Sequence, residues 1–160
     1  MIRLGAFKGD GVISKLIKWR TGGEYSHIAL YLDKQYWIEA NSKYGVVKAI
    51  YKSDPNGIEV DIYRFGDVNE KAVRTFLTEQ LGKGYDLRAV LDIGLCDMQD
   101  RHLSNKWMCS ELAYAALEKG GLKIFNDTKP WQVDPNLITR STAFEFLETV
   151  LVKPDPFVLS

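Results

Sequence analysis

The first half of the chain reads as strands and the second half as helices, and that division limits the fold more than any other feature. Residues 2–8 read as a short strand that Gly9-Asp10-Gly11 breaks. Asp10 is placed to cap a helix through Val12, Ile13, Leu16, Ile17 and Trp19, which Thr21-Gly22-Gly23 ends. Ser26–Leu32 is rich in strand formers; the turn-like Asp33-Lys34 and a second strand, Tyr36–Ala40, follow. Further strands fit Gly45–Tyr51 and Ile58–Phe65, with Ser53-Asp54-Pro55-Asn56-Gly57 as the turn between them. From Val68 the period changes. Val73, Phe76, Leu77 and Leu81 share one helix face over Val68–Leu81, and Gly82 and Gly84 terminate it. Asp86–Leu95 is a shorter helix, and Cys109–Lys119, with Leu112, Ala113, Ala116 and Leu117 in register, is the best-formed one. Gly120-Gly121 ends it. Asp134-Pro135 starts another helix, and Phe144–Val152 reads as a last strand. Strands first and helices second predict an α+β fold with a mostly antiparallel sheet packed against helices. A chain of 160 residues fits a single domain over 1–160.

Charge and cysteine usage remove several function classes. Lys+Arg and Asp+Glu are both 21, so neither nucleic acid nor an anionic membrane is the default partner. The locally basic Lys15-Leu16-Ile17-Lys18-Trp19-Arg20 reads as a solvated helix face. Cys96 and Cys109 cannot build a disulfide framework, and His27 and His102 lie in no HExxH or CxxC pattern, so neither a metal nor a cofactor is expected. The first ten residues lack a signal-peptide pattern, and no apolar run approaches the ~18 residues of a membrane span. The expectation is a protein with reduced thiols, not integral to a membrane and cytoplasmic, unless a non-standard or phage-linked route exports it. The oligomeric state is not legible.

Chemistry concentrates on three residues. Cys109 stands where a helix begins, and there unpaired backbone N–H groups and the helix dipole favour a thiolate and could hold an oxyanion. The competing reading is a buried small hydrophobe. In a strand, His27 shares a face with Ala29 and Tyr31 while Ser26, Ile28, Leu30 and Leu32 take the other, so His27 can border a cleft or serve as a structural residue. Glu39 opposes His27 if the hairpin connection is centred on Asp33 with an odd length; a two-residue turn at Asp33-Lys34 puts it on the wrong face. The first register makes a nucleophile, a base and an orienting carboxylate. His102, in a polar connector, is the other possible base; Cys96 reads as packing.

Ser26-His27-Ile28-Ala29-Leu30-Tyr31-Leu32, Trp37-Ile38-Glu39-Ala40, Gly84-Tyr85-Asp86 and Cys109-Ser110-Glu111-Leu112, in that order, resemble the circularly permuted NlpC/P60 hydrolases, particularly their YiiX-like branch. The resemblance runs from Gly9-Asp10 to Asp134-Pro135. It implies a permuted papain-like fold in which the histidine strand precedes the cysteine helix. It also implies Cys109 as nucleophile, His27 as base and Glu39 as the polar third member. Tyr85 matches a recurrent aromatic near the site, and Ser110 and Ser26 are further neighbours, with backbone N–H groups at Cys109 and Ser110 as oxyanion donors. One departure is Ala29, where the family often carries glycine.

Three functions follow from this set: a cysteine amidase or peptidase acting on a cell-wall peptide or similar amide, a lipid hydrolase or acyltransferase of the lecithin retinol acyltransferase type, or a non-catalytic binding or structural protein. A groove lined by Trp19, Trp37, Trp107 and Trp131 would favour the acyl-lipid substrate. A Glu39 turned away from His27, or an enclosed Cys109, would favour the non-catalytic one.

Overall fold

Six segments of the chain alternate in a way that suits a pleated surface, and they pair into one antiparallel sheet. A computed structural model describes residues 1–33, 36–92 and 105–155. The strands are β1 (Arg3–Phe7), β2 (His27–Asp33), β3 (Tyr36–Asn41), β4 (Gly45–Ala49), β5 (Tyr51–Phe65) and, late in the chain, β8 (Phe144–Pro154). They lie in the order β4-β3-β2-β1-β5-β8. The chain's first strand is therefore interior, bonded to β2 on one side and β5 on the other. The predicted α+β class and antiparallel sheet are what is observed.

Helices accompany this sheet, and the fourth of them packs over one of its faces. They are α1 (Val12–Thr21), α2 (Glu70–Gln80), α3 (Leu87–Asp92), α4 (Cys109–Lys119) and α5 (Pro135–Thr139). A short parallel pair, β6 (Gly84–Tyr85) with β7 (Lys106–Trp107), leads into α4. Apolar residues circle α4 completely, and every residue from Cys109 to Leu117 is buried. A helix apolar on all sides belongs inside, and α4 packs on α2, β2 and β3 in the main core with Ile28, Leu30, Ile38, Val73 and Leu77. Caps match the sequence at α5, where Asp134 accepts from Asn136 N–H and Leu137 N–H, and at α3, where Asp86 accepts from Arg88 N–H and Ala89 N–H.

Several expectations need correction. Asp10 does not cap α1; Gly11 occupies the cap position without a side-chain bond, and the Asp10 carboxylate instead meets Lys18 Nζ at 3.4 Å. The Ser53–Gly57 turn does not reverse the chain. Ser53 and Ile58 both register on Val152 of β8, so residues 54–57 bulge out of one continuous β5. The turn chemistry is still there, since Asn56 N–H donates to Asp54 Oδ1 at 2.8 Å, but it closes a bulge. The four tryptophans do not share one groove: Trp107 and Trp131 border one pocket, Trp37 belongs to a separate apolar cluster, and Trp19 faces solvent. Cys96 and His102 lie outside the described residues.

The sheet's other face carries a smaller cluster of Phe7, Ala29, Trp37, Val60, Ile62 and Val152. Trp37 reaches from β3 across β2 to β1, where a Cβ on Gly5 would overlap its ring. Gly5 registers on Ala29, so a residue without a side chain beside a single methyl group makes the trough that seats the indole. Ala29 thus packs under this cluster instead of narrowing a site. Gly5→Ala should destabilise the protein by about 1–3 kcal/mol through overpacking, read as a lower urea midpoint with unchanged slope.

Candidate active site

His27 is the first residue of β2 and Cys109 the first residue of α4, so each sits at an end of its element where side chains from different layers can meet. The approach to His27 is set by Asn136. Its Oδ1 accepts from Tyr25 N–H at 3.0 Å and its Nδ2 donates to Tyr25 O at 2.9 Å and to Thr21 Oγ1 at 2.7 Å. These bonds tie the α1–β2 connection to α5 immediately before the histidine.

The hairpin takes neither of the two registers foreseen. Glu39 opposes Ala29, Ile38 opposes Leu30 and Trp37 opposes Tyr31, with an irregularity between Tyr31 and Asp33. Glu39 is therefore on the same face as His27 but diagonal to it, a separation that long side chains can span. They do: His27 Nε2 and Glu39 Oε2 are 2.7 Å apart. Glu39 is only 2% exposed, and two more donors satisfy it, Asn41 Nδ2 on Oε1 at 3.0 Å and the Tyr51 hydroxyl on Oε2 at 2.9 Å. Neither donor was anticipated. Asn41 follows Glu39 at the two-residue spacing of one strand face, a signal within reach of sequence reasoning; nothing local marks Tyr51.

Cys109 adjoins the same imidazole and acts on its charge. Nε2 is committed to Glu39, which leaves Nδ1 to the sulfur. Tyr85 also adjoins Cys109. Burial disfavours a charged His27, but Glu39 and Cys109 outweigh it and raise its pKa to about 10. Burial likewise works to raise Glu39, yet His27, Asn41 and Tyr51 hold it below the ordinary carboxylate value. Tyr51 and Tyr85 are both pushed up, by burial first and then by Glu39 and Cys109 respectively.

A cleft of about 430 Å³ opens beside these groups, with Phe7, Ile17, Ser26, His27, Glu39 and Tyr85 in its wall. Cys109 is 1% exposed and lies just behind that wall, packed with Ile17, Val90 and Met108. Ser26 borders the cleft with its hydroxyl donated to Phe7 O at 3.3 Å. The Ser110 hydroxyl is used elsewhere, donating to Val133 O at 2.6 Å, so only its backbone N–H can serve an oxyanion. Among the described residues no three His, Cys, Asp or Glu side chains cluster to hold a metal, and no helix is long and apolar enough to cross a membrane. The chain matches no protein-family model, and no curated protein matches it.

The His27–Glu39 pair gives stability a defined pH dependence. His27, at about 10 folded against 6.5 ordinarily, contributes stability that is complete below 6.5 and is lost as pH rises through about 10. Glu39, lowered from 4.5, contributes stability present above 4.5 and lost as pH falls through its folded value. Urea midpoints of wild type minus Glu39→Gln should therefore be widest between pH 4.5 and 6.5 and shrink toward pH 10. The His27 ring, followed by NMR, should titrate lower in the variant.

Proposed function

We propose that the chain is a cysteine hydrolase of the permuted NlpC/P60 kind, acting on an amide or ester carbonyl that enters the cleft beside His27. The observation that carries this reading is the single imidazole shared between the Glu39 carboxylate, at 2.7 Å, and the Cys109 sulfur. The order of the site residues, with the histidine strand before the cysteine helix, supports the permuted papain-like fold.

The chemistry follows from the positions. His27 Nδ1 takes the Cys109 proton and becomes an imidazolium that Glu39 stabilises. The thiolate attacks the carbonyl carbon, forming a C–S bond while the carbonyl π electrons move to oxygen. Backbone N–H groups of Cys109 and Ser110, at the start of α4, are the donors for that oxyanion, and the Tyr85 hydroxyl is a side-chain donor at the sulfur. The tetrahedral intermediate collapses, the C–N or C–O bond breaks, and the His27 proton goes to the leaving amine or alkoxide. Water, deprotonated by His27, then attacks the thioester, and the sulfur leaves as thiolate to regain its proton from His27.

One observation favours a second reading, a binding protein that retains the constellation without turnover: the thiol is 1% exposed. Alkylation separates the two. In a Cys96→Ser background, iodoacetamide should label Cys109 rapidly at pH 6, where an ordinary thiol of pKa ~8.5 reacts slowly. His27→Ala should slow labelling by about 100-fold. Slow labelling that does not depend on His27 would favour the binding reading. Tyr85→Phe, which removes the hydroxyl proposed to donate to the charged sulfur, should cost about tenfold in labelling at pH 6 and leave the thermal midpoint nearly unchanged.

A further inference from the structure

We propose that the outward face of α1 seats this protein on an anionic lipid surface. Val12 and Trp19 are 87% and 75% exposed, and with Lys15 they stand at i, i+3 and i+7, one stripe along the helix. Ile17 faces the opposite way, into the cluster with Val90, Met108 and Cys109. The helix therefore already has its inner partner, and the outer stripe is additional apolar surface.

Charge indicates the occupant. The chain as a whole is neutral, with 21 basic and 21 acidic residues, yet α1 carries Lys15, Lys18 and Arg20 and no acidic residue. Lys18 is shared with Asp10 at 3.4 Å, and the Arg20 guanidinium lies 5.4 Å from the Trp19 ring centroid. An exposed indole flanked by cations is the composition that settles at a headgroup layer, where the ring is half-solvated and the cations meet phosphate. The neighbouring α3 adds two half-exposed leucines a turn apart, Leu87 and Leu91, with Arg88 between them. These apolar side chains project from helix surfaces with half or more of their area exposed, which suits a yielding lipid layer. The inner side of α1 contributes Ile13, Ser14 and Ile17 to the cleft wall, so docking through the outer side brings the cleft close to the lipid.

The test is co-sedimentation of the full chain with vesicles of phosphatidylcholine alone or mixed with phosphatidylglycerol. The expected result is binding to the mixed vesicles at least ~10-fold tighter than to the neutral ones, weakening as salt rises from about 0.05 to 0.5 M. Lys15→Gln should weaken it about fivefold and Trp19→Ser more strongly, with thermal midpoints unchanged because both sites face water. Cys109→Ala should bind as wild type does, which keeps this result separate from the chemistry proposed above. The proposal is overturned if neither vesicle binds, or if binding is indifferent to lipid charge or to both substitutions. Trp19-dependent self-association in sedimentation equilibrium without vesicle binding would also overturn it, assigning the stripe to a second copy of the chain.

Discussion

A carboxylate shut away from water has to be surrounded by donors, and the ends of three strands are arranged to supply them to Glu39. His27 opens β2, Asn41 closes β3 and Tyr51 opens β5, and all three reach the same two oxygens. Removing one partner from a buried pair of this kind typically costs about 3–5 kcal/mol, so the strand ends are held to one another by electrostatics as well as by the backbone ladder. That restraint fixes the imidazole, which adjoins Cys109. Asn136 contributes from the other side by holding the connection into β2.

The two faces of the sheet divide the labour. One is filled by α4 and its neighbours around Leu30, Leu112 and Leu117. The other carries only a compact aromatic cluster in which Trp37 covers Gly5 and Ala29, and the cleft adjoins it. Phe7 belongs to both the cluster and the cleft wall, and its ring meets His27 edge-on at 5.2 Å. The histidine is therefore packed against an aromatic ring and hydrogen-bonded at Nε2, which restrains its orientation.

Much of this was legible in the chain. Cys109–Lys119 was readable because Leu112, Ala113, Ala116 and Leu117 fall in helical register and Gly120-Gly121 stops it; Asp134-Pro135 was readable because a cap acceptor followed by proline has one local solution. The candidate triad rested on residue type, on a hairpin register that the chain left open, and on the family resemblance. What escaped reading depends on contacts distant in sequence. The Asx turn at Asp54–Asn56 looks the same whether it closes a hairpin or a bulge, and only pairing of β5 with β8 decides. Asp10 had the right chemistry for a cap, but Lys18 on the next turns of the helix is the partner it meets. The register of β2 on β3 depends on an irregularity at Tyr31–Asp33 that no propensity encodes.

That register has an evolutionary consequence. Because His27 and Glu39 are diagonal neighbours on one face, length changes in the connection between β2 and β3 have a phase. An inserted or deleted residue that shifts β3 by one position turns Glu39 to the opposite face, and Trp37 leaves its trough on Gly5 with it. A shift by two restores the faces but moves the carboxylate about 7 Å along the strand. Lineages of this chain can lengthen the hairpin only where the extra residues loop out and leave the ladder in place. Single-residue length variation should therefore accumulate at the tip and be purged from the strands that flank it.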